Sequence, residues 1–178
     1  MWRGGPVTGR PAAAIFEKEN YMSTTTTMSN HEKGALGREL VISRLAELGA
    51  QSPYYSKQGR RHIIIASNTS RTKQITIIVK TKLSGDWQVS TDDGIPSDDN
   101  HNDNTFWVFV DISGSVTKPD YYVMPDQWIR NNIYEEHQAY LKRHGGERAR
   151  NSLSKHHSIT WERINKWVGR WNILNLSS

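Results

Sequence analysis

The sequence predicts one α/β domain built on a central mixed sheet flanked by helices. Three observations predict it. A helical apolar stripe opens the ordered part of the chain. Two β-branched runs then follow close together, His62 to Ser67 and Gln74 to Lys82. A further run, Phe106 to Ile112, is almost purely apolar, as expected of a strand in a sheet covered on both faces. Helix, strands and helix in that order indicate one layered domain. The 178 residues suffice for a single hydrophobic core.

Residues 1–31 are rich in Gly, Pro, Ser and Thr, with Thr24 to Thr27 in a row, and read as a disordered leader. Met22 and Met28 are alternative starts. The domain is expected to span 32–178. From Glu32 to Gly49 the residues Leu36, Leu40, Val41, Leu45 and Leu48 line one helical face, and Gly49 supplies the stop. Gln51 to Tyr55 reads as extended, with Pro53 placing it at an edge or in a loop. His62 to Ser67 and Gln74 to Lys82 are strands joined by Asn68 to Lys73. Gly85-Asp86 turns the chain into a short strand, Trp87 to Val89.

Asp92 to Asn104 holds five aspartates but lacks the glycine and closing glutamate of a calcium loop, so it reads as a solvated loop. Phe106 to Ile112 and Tyr121 to Met124 are strands. Asp126 starts a helix that runs to about His144 and ends at Gly145-Gly146. Arg148 to His157 is a basic connection. A short helix, Trp161 to Val168, and the segment Trp171 to Leu174 close the chain. Trp161, Trp167 and Trp171 are expected to pack a final helix onto the sheet.

Composition narrows the function. Lys and Arg number 23 against 18 Asp and Glu, a formal charge of +5 with a pI near 9.5, which is compatible with a polyanionic partner. The absence of cysteine excludes disulfides and thiolate metal sites and fits a cytoplasmic protein. No run approaches the roughly 18 apolar residues of a membrane helix. The apolar patch from Pro11 to Phe16 is too short for a signal peptide.

The chemistry-bearing residues lie on the first helix and the two β-branched strands. Metal-assisted phosphodiester hydrolysis needs carboxylates to hold a divalent ion, and a nearby cation to neutralise developing charge. Gly37-Arg38-Glu39, His62-Ile63-Ile64-Ile65-Ala66 and Ile77-Ile78-Val79-Lys80-Thr81 together resemble the PD-(D/E)XK nuclease superfamily, which has the restriction-endonuclease-like fold, and among its members the small bacterial ones. The resemblance continues through Phe106 to Asp111, Tyr121 to Pro125 and Arg170 to Leu174, and so covers about residues 33–175.

The resemblance implies that Glu39 is the helix acid and Lys80 the catalytic lysine. The strand aspartate falls on His62, and the acid before x-Lys falls on Ile78. Glu39, His62 and the backbone carbonyl of Val79 would then be the metal ligands, and Glu39, His62 and Lys80 the catalytic set, gathered in one cleft. Magnesium, the ion implied if the enzyme is active, wants hard oxygen donors. Imidazole favours softer ions, and isoleucine binds none. Catalysis is therefore expected to be impaired or absent, unless Asp86 and Asp111 act as relocated ligands.

Arg60, Arg61, Arg71, Lys73 and Lys82 bracket the two strands and are expected to track phosphates. A second basic set, Lys142, Arg143, His144, Arg148, Arg150, Lys155, His156 and His157, spans the late connection. The expected function is nucleic-acid binding, to DNA above all, by a nuclease-like pseudoenzyme with no membrane association. A homodimer is compatible with it. The alternatives are an active magnesium-dependent DNA endonuclease and a protein-interaction or immunity-type module on the same scaffold.

Overall fold

The computed structural model describes residues 28–59, 61–94, 103–148, 151 and 153–176. In chain order they form α1 (Asn30–Glu47), β1 (Gln51–Gln58), β2 (Arg61–Ser67), β3 (Gln74–Lys82), β4 (Trp87–Ser90), a 3-10 turn (Thr91–Gly94), β5 (Thr105–Asp111) and β6 (Asp120–Pro125). There follow α2 (Asp126–Arg143), β7 (His156–Ile159), the single turn α3 (Trp161–Ile164) and two 3-10 turns, Asn165–Trp167 and Trp171–Leu174. No helix among these residues is long and apolar enough to cross a membrane.

The main sheet has the order β1-β2-β3-β5-β6. β3 and β5 run parallel, and the other neighbours are antiparallel. β4 and β7 form a separate antiparallel pair. The expected α/β class with a mixed sheet and flanking helices is thus present. β7 was not anticipated, because four residues reading His-His-Ser-Ile carry too weak an alternation to stand out from a basic connection.

Helix α1 begins where side chains can satisfy its free N–H groups. Ser29 and Glu32 form a reciprocal capping box: the Glu32 N–H donates to Ser29 Oγ at 3.2 Å, and the Ser29 N–H donates to the Glu32 carboxylate at 2.8 Å. The helix therefore starts at Asn30, two residues ahead of the expected Glu32. Gly49 ends this region at φ +87°, a conformation that costs a glycine little.

Side-chain alternation along each strand assigns every residue to one of two faces. Ile64, Ala66, Ile75, Ile77, Val108, Val110 and Val123 pack with Val41 and Leu45 of α1, joined by Trp171 and Leu174 from the C-terminal turn. Ile63, Ile78, Trp107, Phe109, Tyr122 and Met124 pack with Ile129 and Ile133 of α2, with β4, and with Ile159 and Ile164. Gly37 lets α1 settle directly on β3: a Cβ there would lie 1.8 Å from Thr81 Oγ1. On the other face Gly94 does the same for the 3-10 turn against α2, where a Cβ would lie 2.5 Å from Ile133 Cγ2. Trp171 is buried as expected, whereas Trp161 is half exposed and does not serve as a core residue.

Candidate functional site: a charged network on the α2 face

The register of β2 and β3 decides which residues can meet. Ile63 lies opposite Ile78 and Ile64 opposite Ile77, so continuing the ladder sets His62 opposite Val79 and Arg61 opposite Lys80. His62 therefore belongs to the α1 face. There its ring stacks on Tyr55 at 5.3 Å, and the Arg38 guanidinium lies 5.0 Å from the Tyr55 ring centre. Lys80 belongs to the α2 face, with its amine 5.7 Å from the centre of the Trp107 ring. Glu39 is exposed on α1. The expectation of one cleft holding Glu39, His62 and Lys80 is corrected: the sheet itself separates His62 from Lys80, because neighbouring positions along a strand point to opposite faces. Val79 packs its side chain into the α1-side core, and Ile78 is buried on the α2 side.

What Lys80 does meet is a connected set of charged groups. The side chain of Asp93, only 8% exposed, accepts from Arg61 through one carboxylate oxygen and from the Ser90 N–H at 3.1 Å through the other. Arg130 reaches the Asp93 carbonyl at 3.5 Å and donates through Nε to Asp126 at 2.6 Å. Asp126 also accepts from the indole N–H of Trp107 at 2.6 Å. A continuous chain thus runs Arg61, Asp93, Arg130, Asp126, Trp107, with the amine of Lys80 over its last member. Burial lowers the Lys80 pKa; Asp93 opposes this and Arg61 adds to it. Three cations and two carboxylates leave this network with a net positive charge.

Both carboxylates are committed to guanidinium groups, which changes what the site can hold. A divalent ion would have to displace Arg61 from Asp93 or Arg130 from Asp126. Among the described residues no group of three or more His, Asp or Glu side chains is placed to bind a metal ion. The acids considered as relocated ligands do not join the network. Asp111 pairs with Lys82 at 2.9 Å at the ends of β5 and β3; burial pushes its carboxyl up, but hydrogen bonds from Ser113 and the Lys82 amine together outweigh this and hold it below the usual range. Asp86 is exposed in the turn before β4.

The basic residues expected to track phosphates divide by strand end. Arg61 and Lys82 lie at the same end as Lys80 and on the same face. The Lys82 amine sits 4.2 Å from the Trp87 ring centre. Arg71 and Lys73 lie in the β2–β3 turn at the far end, about 20 Å away at ~3.3 Å per residue. Lys73 lies over Phe106 there, and Arg71 is exposed. Arg60 is outside the described residues.

Sequence reasoning missed Asp93, Arg130 and Trp107 and gave Asp126 only a capping role. One signal was available: Asp126 and Arg130 stand four apart on a helix, a spacing that brings opposite charges together. Asp93 carried no such mark among its acidic neighbours. No protein-family model, curated protein or solved structure matches this chain.

Proposed function

We propose that this chain associates with nucleic acid through the cationic end of β2 and β3, as a PD-(D/E)XK-like protein whose catalytic set is degraded. The observation that carries the reading is the commitment of Asp93 and Asp126 to Arg61 and Arg130, beside a lysine left without an ion pair among the described residues. Such a site offers positive charge to a phosphate and few oxygen donors to magnesium. Arg61 is 42% exposed at the rim, where a backbone phosphate can reach it. The order of helix, antiparallel strands and a parallel fifth strand is compatible with the restriction-endonuclease-like arrangement.

The test is duplex binding across a salt series with the full chain. Lys80→Ala and Arg61→Ala should each weaken binding and each lower the salt slope by about one phosphate contact. Plasmid incubated with magnesium or manganese should stay uncut. Magnesium-dependent nicking abolished by Lys80→Ala would favour the active-endonuclease reading instead, and no duplex affinity at low salt would overturn association.

A second reading has its own observation. Among the described residues β1 pairs on one side only, and Tyr54 and Tyr55 on it are about half exposed. An open edge with aromatic side chains suits a protein partner or a second copy of the chain. Sedimentation of the wild type against a Ser56→Pro variant reads that contact directly.

A further inference from the structure

A concave site lies far along α2, away from the Lys80 network. It is a groove of about 310 Å³ between the C-terminal half of α2 and β7, and His137, Tyr140, Arg143, Arg148 and His157 are among the residues that line it. One acid, Glu136, stands at its wall.

The hydrogen bonding around His157 fixes its chemistry. Its Nε2 lies 3.1 Å from Nη1 of Arg163. A guanidinium only donates, so Nε2 must accept, and the ring proton must sit on Nδ1. His157 is thereby a neutral donor rather than a cation. Burial, with Arg163, His137 and Arg148 beside it, depresses its pKa to about 4, so it stays neutral at physiological pH. Its ring meets that of His137 edge-on at 6.3 Å. Arg163 itself is used up in holding Asn132, His157 and the Ser158 carbonyl.

The two cations that remain differ from Arg163. Arg148 donates to the His156 carbonyl at 2.6 Å, which anchors one edge of its guanidinium and leaves further donors. Arg143 is exposed in the last turn of α2 with no ion pair among the described residues. Two guanidinium groups and a neutral imidazole N–H around a small concavity match a compact dianion with several acceptor oxygens. A phosphodiester carries a single charge and continues at both ends, whereas a phosphate monoester carries close to two charges and ends there.

We propose that this groove is a phosphate-monoester site, in which Arg143 and Arg148 supply the charge and the Nδ1–H of His157 a directional hydrogen bond. The monoester is either a free small molecule or the terminal phosphate of a nucleic-acid strand. The proposal does not rest on the Lys80 site.

The experiment follows the His137 and His157 ring resonances of the full chain by NMR. The titrants are inorganic phosphate, adenosine 5′-monophosphate and an eight-residue oligothymidylate with or without a 5′-phosphate, with chloride at matched ionic strength as reference. Phosphate should shift both rings saturably and chloride should not. Arg143→Gln, which removes no described contact, should weaken the phosphate response by about tenfold, while Lys80→Ala should leave it unchanged. An oligomer that binds about tenfold tighter with its 5′-phosphate identifies the strand end as the source. Saturation by the mononucleotide without that preference identifies a small molecule. Equal shifts from phosphate and chloride, or a response unchanged in both Arg143→Gln and Arg148→Gln, would overturn the site. Loss of duplex binding in Lys80→Ala with the phosphate response intact separates the fate of the two proposals.

Discussion

Removing the carboxylate of Asp93 should both destabilise the fold and raise its affinity for phosphates, because one group serves both ends. In Asp93→Ala the Ser90 N–H loses its acceptor in a place where water is scarce, which costs about 1–3 kcal/mol. The Arg61 pair adds less. Arg61 is 42% exposed and turns to water, so its loss contributes at most about 1 kcal/mol. The sum is about 1–4 kcal/mol. Asp93→Asn keeps an oxygen for Ser90 and should lose only about 1 kcal/mol. Urea unfolding measures both, with an unchanged slope showing that the unfolded state is not the cause. The binding arm runs the other way. Freed from Asp93, Arg61 no longer divides its guanidinium between a carboxylate and a phosphate, so duplex affinity should rise at every salt concentration while the salt slope stays at its wild-type value. An Asp93→Ala protein within about 0.5 kcal/mol of wild type, or less affected than Asp93→Asn, would refute the placement of that carboxylate.

Three other outcomes are expected. Thr81→Val should raise stability by about 1 kcal/mol, read as a higher urea midpoint, because the Thr81 hydroxyl is buried against Gly37 with no partner among the described residues. For His157 the folded pKa lies near 4 against 6.5 when free, so the unfolded chain takes up the proton first as pH falls; stability should decline from about pH 6.5 to about pH 4, and His157→Gln should flatten that part of the profile. The double variant His62→Asp with Ile78→Glu should gain no magnesium site, since the two positions face opposite sides of the sheet, and calorimetry showing saturable binding tighter than about 1 mM would contradict that assignment.

Much of the architecture was legible along the chain. The β-branched runs gave β2 and β3 to within a residue, Gly49 marked the region where α1 ends, and the apolar run from Phe106 gave β5. These signals are local, because propensity, capping and periodicity act within a few residues. β7 and the 3-10 turn Thr91–Gly94 were not legible. Each is short and polar, and each is held by a distant partner: β4 pairs with β7, and Gly94 lies against Ile133 of α2.

The candidate site shows the same division more sharply. The sequence alone determined that Lys80 lies near the end of an apolar strand, that cations cluster at the strand ends, and that Ile78 offers no ligand atom. It could not determine that His62 and Lys80 would part. Side-chain direction alternates with every residue, so the facing of a strand depends on a register that two strands settle together. Only the tertiary structure brought Asp93 and Arg130, 37 residues apart, into one network with Lys80. That juxtaposition comes from burying the 3-10 turn against α2, an interaction between faces that no local pattern encodes.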